Sequence, residues 1–199
     1  MFAEAIGIDH AIVFGHSLGS RVGQAFAALY PARVDALVLT APHLSNFLLT
    51  REDAKAVLGA AALSLQHPEE FATREDALAY MRPRWPWSPE SEAALEHRIT
   101  YNFEHRADGS LAPRYDVVRV SQGLAYLSHD MRPYAKQVKC PVMIMRAASG
   151  KLSPEQAVEL AAFWSNSTIV DVDGVYAVQL DNPAGVAQVL KEYAAETVK

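Results

Sequence analysis

Five residues near the start of the chain, Gly15-His16-Ser17-Leu18-Gly19, fit the pattern Gly-x-Ser-x-Gly. The stretch before them, His10 to Phe14 (His-Ala-Ile-Val-Phe), reads as a short apolar strand buried on both faces. After them, Arg21 to Tyr30 carries apolar residues at helix intervals, Val22, Ala25, Phe26 and Leu29, and Pro31 ends the helix. A serine at the tip of a sharp strand-to-helix turn has its hydroxyl turned outward. The backbone around it must pass closely, which Gly15 and Gly19 are expected to permit. The helix start puts positive partial charge beneath the serine, where an oxyanion would form during attack on a carbonyl. Ser17 is therefore the candidate nucleophile and the Leu18 N–H the candidate oxyanion donor. The competing reading is an ordinary glycine-rich turn, of the kind that binds phosphate. No Gly-x-x-x-x-Gly-Lys-Ser/Thr run supports it.

The elements that must position Ser17 alternate between strand and helix. Asp35 to Ala41 is a second buried-strand pattern, ended by Pro42, so strand, helix and strand imply a right-handed parallel crossover. From about residue 45 to about 130 helical stretches follow one another with no buried strand between them. Arg51 to Gln66 is Ala/Leu-rich, Thr73 and Asp76 have capping-box spacing before Met81, and Ser88-Pro89-Glu90 is a helix start. Arg82 to Trp87 is a bend between helices, and Asp108-Gly109 marks a turn. The strand pattern returns at Cys140 to Arg146. Ser153-Pro154-Glu155-Gln156 opens a helix running to about Trp164, and Thr168 to Val172 is another strand. Asn182-Pro183 starts a last helix with Val186, Val189, Leu190 and Tyr193 on one face. The expected division is an α/β core over 1–44 and 135–199, with a helical block over 45–134.

Composition narrows the function classes. With 199 residues, half of them apolar, the chain can bury a core. Lys plus Arg number 18 against 23 Asp plus Glu, a net charge of -5, and the basic residues form no run. Nucleic-acid binding, which needs a positive face, is not expected. No apolar run approaches the ~18 residues of a membrane span, and the first residues lack the pattern of a secretion signal. Cys140 is the sole cysteine, which excludes an internal disulfide and a cysteine-based zinc site and fits a reducing, cytoplasmic setting.

Ile12 to Pro42 resembles the nucleophile region of the α/β-hydrolase fold, the superfamily of esterases, lactonases, C–C-bond hydrolases, epoxide hydrolases and dehalogenases. Cys140 to Arg146 resembles the strand leading to that family's acid, and Leu180-Asp181-Asn182-Pro183 resembles the stretch after its histidine. The helical block resembles the cap found over the active site in many members. The resemblance implies a partial α/β-hydrolase fold. A parallel sheet of about four strands would carry a helical cap insertion, and the family's first four strands would be absent, so that the chain is the C-terminal portion. Serine rather than aspartate at 17 points to small ester, lactone or C–C-bond substrates. No metal and no organic cofactor is implied.

Against the family pattern the remaining catalytic positions are unusual. The acid is expected after Arg146, where Ala147-Ala148-Ser149-Gly150-Lys151 offers Ser149 in its place. Pro42 to Thr50 contains no carboxylate either, which leaves Asp116 and Asp130 as outside candidates. The position of the histidine falls at Tyr176, and all seven histidines lie upstream of it. A phenol, ionising near pH 10, is a weak substitute for imidazole. His43, just past the second strand, is the stand-in base. His16 is expected to point away from the serine, and His97, His105 and His129 to lie on surfaces. Trp85 and Trp87 could line a pocket. The expected function is that of an ancestral serine hydrolase with little activity in this chain. The alternative is an inactive, truncated or partner-dependent binding protein. An exposed sheet edge at the first strand would favour self-association.

Overall fold

The computed structural model describes residues 2–42, 51–84 and 92–197. The chain begins with helix α1 (Phe2–Ala5), strand β1 (Ala11–His16), helix α2 (Leu18–Leu29) and strand β2 (Val34–Thr40). Helices α3 (Arg51–Ser64), α4 (Arg74–Met81) and α5 (Glu92–Asn102) come next, then strands β3 (Phe103–His105) and β4 (Leu111–Pro113). Helices α6 (Val117–Ala125) and α7 (Arg132–Ala135) lead to β5 (Val142–Ala147), α8 (Pro154–Ala161) and β6 (Ser167–Val172). The chain closes with α9 (Val178–Asp181) and α10 (Pro183–Thr197). Two compact units result, Met1–Leu48 with His129–Lys199, and Leu49–Ser128.

The first unit is built on a parallel sheet of four strands in the order β1-β2-β5-β6. Alternation along β2 separates its two faces. Leu37 and Leu39 pack with Ala27 of α2, Ala135 of α7 and Leu160 of α8. Ala36 and Val38 pack with Val178 of α9 and with Val186 and Tyr193 of α10. Helices thus cover both faces, which is why β2 and β5 are apolar at nearly every position. Burying each large aliphatic side chain contributes about 1.5–3 kcal/mol.

β1 differs from the expectation of burial on both faces. Five of its six residues are only half-buried. Among the described residues it pairs with β2 alone, and a strand at a sheet's edge has nothing beside it to complete its cover.

The second unit has its own core of Phe71, Ala77, Leu78, Met81, Leu95, Ile99, Phe103 and Leu111. Thr73 caps α4, its hydroxyl accepting the Asp76 N–H at 3.1 Å. The helices are joined by an antiparallel hairpin, β3 with β4, that the sequence reading lacks. Three-residue strands are too short to show an alternating pattern, and the local signal was the Asp108-Gly109 turn, where Gly109 has φ 89°. The His67 ring sits among Phe71, Tyr80, Phe103 and Tyr115, donating from Nδ1 to the Pro68 carbonyl at 2.7 Å. The helix start at Ser88-Pro89-Glu90, and Trp85 and Trp87, lie outside the described residues. Among the described residues no helix is long and apolar enough to cross a membrane.

Candidate active site

Ser17 joins β1 to α2 with φ 52° and ψ -114°, a conformation that L-residues rarely adopt and that costs on the order of 1–3 kcal/mol. The turn is tied to the neighbouring strand. The Ser17 N–H donates to the Thr40 carbonyl at 2.9 Å. Fully buried Ser20, on the first turn of α2, places its hydroxyl 2.7 Å from the Gly15 carbonyl and 2.9 Å from that of Thr40. Gly15 is required by space, since a Cβ there would lie 2.4 Å from the Gly19 carbonyl oxygen. Gly19 is not, since a Cβ there would meet nothing within 4 Å, which corrects the expectation that both glycines clear the turn. Leu18 opens α2, so its N–H is among the first-turn donors that a helix leaves without an internal partner.

Tyr176 lies 159 positions away in sequence, and its hydroxyl donates to Ser17 Oγ at 2.8 Å. Its ring meets that of His16 edge-on, with centroids 4.8 Å apart and planes at 76°. His16 therefore lies beside the phenol that reaches Ser17.

Ser149 is exposed at the end of the turn after β5, and its N–H donates to the Gly174 carbonyl at 3.0 Å, just ahead of Tyr176. Arg146, on β5 ahead of that turn, pairs with Asp171. Arg146 Nε donates to Oδ1 at 2.7 Å, Nη2 donates to Oδ2, and Nη1 reaches the Leu152 carbonyl at 3.3 Å. This bidentate pair ties β5 to β6 and to the turn before α8.

The other candidates have different tasks. Asp116 caps α6 by accepting the Arg119 N–H at 3.1 Å. Asp130 is held below the usual carboxylate range by hydrogen bonds from Arg132. His43 lies outside the described residues. His97, His105 and His129 are exposed, His105 bonding the Ile99 carbonyl at 3.0 Å. Among the described residues no group of three or more His, Cys, Asp or Glu is placed to hold a metal ion. Ser20 was missed from sequence, because a serine three residues into a helix gives no signal of what its hydroxyl will meet.

The arrangement offers a hydroxyl at a strained turn, a helix N-terminus beneath it and a second hydroxyl donating to it. The first two are part of what attack on a carbonyl requires, a base being the rest. The third holds the oxygen in place.

The model of the α/β hydrolase fold family matches residues 1–183. Among curated proteins the chain is similar to 2-(acetamidomethylene)succinate hydrolase of Mesorhizobium japonicum, 29% identical over 145 residues, covering 72% of this chain and 48% of that protein. It is also similar to a serine hydrolase-like protein of Danio rerio, 24% identical over 205 residues, covering 96% of this chain and 62% of that protein. The chain thus spans only about half to three-fifths of the length of these relatives. Two solved structures share the fold. One is an E-2-(acetamidomethylene)succinate hydrolase, with TM-score 0.77 and 24% identity, covering 98% of this chain and 69% of that one. The other is an esterase of M. tuberculosis, with TM-score 0.72 and 21% identity, covering 92% and 61%. With the family model matching from the first residue through the start of α10, across the whole parallel sheet and the Ser17 turn, the chain belongs to the α/β-hydrolase fold family.

Proposed function

We propose that this chain is a serine-hydrolase scaffold in which Ser17 is a slow nucleophile toward small ester, lactone or C–C-bond substrates. The observation that carries this reading is the 2.8 Å hydrogen bond in which Tyr176 donates to Ser17 Oγ. In the reaction Ser17 attacks a carbonyl, the Leu18 N–H receives the oxyanion, and water then releases the acyl group. Attack needs a base to take the serine proton. The group that meets Oγ is a phenol rather than an imidazole. No metal or organic cofactor enters these steps. The hydrolase names of the relatives support the direction of the chemistry. With Cys140 the lone cysteine, a reducing, cytoplasmic setting completes the proposal.

A second reading, a partner-dependent binding protein with the same fold, is favoured by the edge of β1 that is unpaired among the described residues and by exposed apolar residues on α2. Val22 is 62% exposed and Leu29 59%.

Turnover of p-nitrophenyl acetate separates the two outcomes that matter. Activity barely above background is expected, together with slow labelling by a fluorophosphonate that Ser17→Ala removes. A working serine hydrolase stripped of a triad member retains only ~10³–10⁴-fold over water, and this is the expected ceiling. Rapid, stoichiometric labelling abolished by Ser17→Ala would overturn the reading.

A further inference from the structure

The turn that carries Tyr176 is gathered onto one carboxylate. Asp181 Oδ2 accepts the backbone N–H of Val175 at 3.0 Å and that of Tyr176 at 3.2 Å. The fit is close at Gly174, where φ is 148° and a Cβ would lie 3.1 Å from Asp181 Cβ and 3.2 Å from Oδ2. On the opposite side the Ser149 N–H donates to the Gly174 carbonyl at 3.0 Å. A Cβ on Gly150 would lie 2.8 Å from the Val175 carbonyl oxygen.

Asp181 is fixed in turn. Its N–H donates to the Ala177 carbonyl at 2.9 Å, and the next residue, Asn182, accepts the Gly185 N–H at 2.9 Å as α10 begins. Val178 and Val186 on either side are buried in the sheet's core. A packed corner, a carboxylate, two consecutive amides, a phenol and Ser17 Oγ thus stand in series. Hydrogen bonds to a charged acceptor are the strong kind, and two from adjacent residues fix the backbone between them.

We propose that Asp181 is the positioning residue of the Ser17–Tyr176 pair. By binding two consecutive amides it sets the turn so that the phenol reaches Ser17 Oγ. It thereby sets how firmly Tyr176 restrains that oxygen. Asp181 acts here through the two backbone amides, and this assignment rests on the proposed role of the pair.

The test reads the phenol itself. The chain is grown with 3-fluorotyrosine, and the Tyr176 fluorine resonance is assigned by its loss in Tyr176→Phe. Ser17→Ala is expected to move that resonance by more than a line width. In Asp181→Ala, the further change Ser17→Ala is expected to leave it in place. In Asp181→Asn, whose side-chain carbonyl still accepts both amides, the response to Ser17→Ala is expected to return. A full response in folded Asp181→Ala overturns the positioning role and leaves the pair standing. No response in the otherwise unmodified chain overturns the pair, and the positioning role with it. If Asp181→Ala does not fold, Gly174→Ala disturbs the same contact from the other side and is expected to give the same loss. The unmodified chain supplies a separate reading by hydrogen exchange. The Val175 and Tyr176 amides are expected to exchange at least ~10-fold more slowly than unprotected amides. Exchange at the unprotected rate overturns the proposal.

Discussion

A methyl group on Gly15 would lie 2.4 Å from the carbonyl oxygen of Gly19, yet one on Gly19 would meet nothing within 4 Å. The two glycines that frame Ser17 are therefore unequal. Gly15→Ala must push backbone against backbone and is expected to cost about 3 kcal/mol or more, or to abolish folding. Gly19 has no positive φ and lies in the first turn of α2, so Gly19→Ala is expected to be neutral or to stabilise by about 0.5 kcal/mol. Urea denaturation of both variants checks the difference, and equal losses would contradict it.

The edge of β1 that is unpaired among the described residues is expected to make the chain self-associate at micromolar concentration. The outer face of α2 adds to this, with Leu18 at 38%, Val22 at 62% and Leu29 at 59% exposure. Light scattering should report species larger than a monomer, reduced by Val22→Lys with Leu29→Lys. A clean, stable monomer of the unmodified chain would contradict the expectation.

Local chemistry explains which parts of this fold could be read from sequence. Ser153 accepts the Gln156 N–H at 3.2 Å while Gln156 accepts the Ser153 N–H at 3.1 Å, a reciprocal cap fixed by four adjacent residues. Asn182-Pro183 opens α10 for the same reason, and Val186, Val189, Leu190 and Tyr193 all face one core. The half-burial of β1 was legible only in part, since its apolar run reads as buried on both faces while the exposed edge was expected from the family resemblance and not from the residues of the strand. The grip of Asp181 on two amides was hidden as well, since a carboxylate before Asn-Pro reads equally well as part of a cap. Tyr176 drew attention only through the resemblance around Leu180-Asp181-Asn182-Pro183. Nothing in its own surroundings announces a partner 159 positions away.

The Ser153 cap gives a quantitative check on that legibility. Ser153→Ala is expected to destabilise the folded chain by about 1 kcal/mol, and Ser153→Gly by only a few tenths. Thermal unfolding of the two variants measures the gap, and no loss in Ser153→Ala would mean that α8 is held by packing alone.

Burial pushes the Cys140 thiol up to about 11 from an ordinary value of 9.0. It pushes the Tyr193 phenol up to about 12 from 10.0. Both groups lose a proton on ionising, so a raised value in the folded chain means the unfolded chain ionises first. Their contribution to stability is intact below about 9 and is lost as pH rises toward 11 for Cys140, then toward 12 for Tyr193. Denaturation midpoints should fall across that window, and Cys140→Ala should remove the first part of the fall. A thiol that reacts with iodoacetamide at the rate of a free cysteine near pH 8 would show that Cys140 is not shielded in this way.

Strain at the Ser17 turn should be measurable as stability held back. Ser17 has φ 52° and, one strand over, Ala41 has φ 45°, while their neighbours His16 and Thr40 are register partners in the sheet. Glycine adopts positive φ without the clash of a Cβ, so Ser17→Gly removes the strain, whereas Ser17→Ala keeps the Cβ and does not. Both variants lose the hydrogen bond from Tyr176, which cancels in the comparison. Ser17→Gly is therefore expected to be about 1 kcal/mol more stable than Ser17→Ala, despite glycine's greater freedom in the unfolded chain. Ala41→Gly should show a gain in the same direction. If Ser17→Gly proves no more stable than Ser17→Ala in urea, the turn is not strained, and the outward presentation of the Ser17 hydroxyl needs another cause.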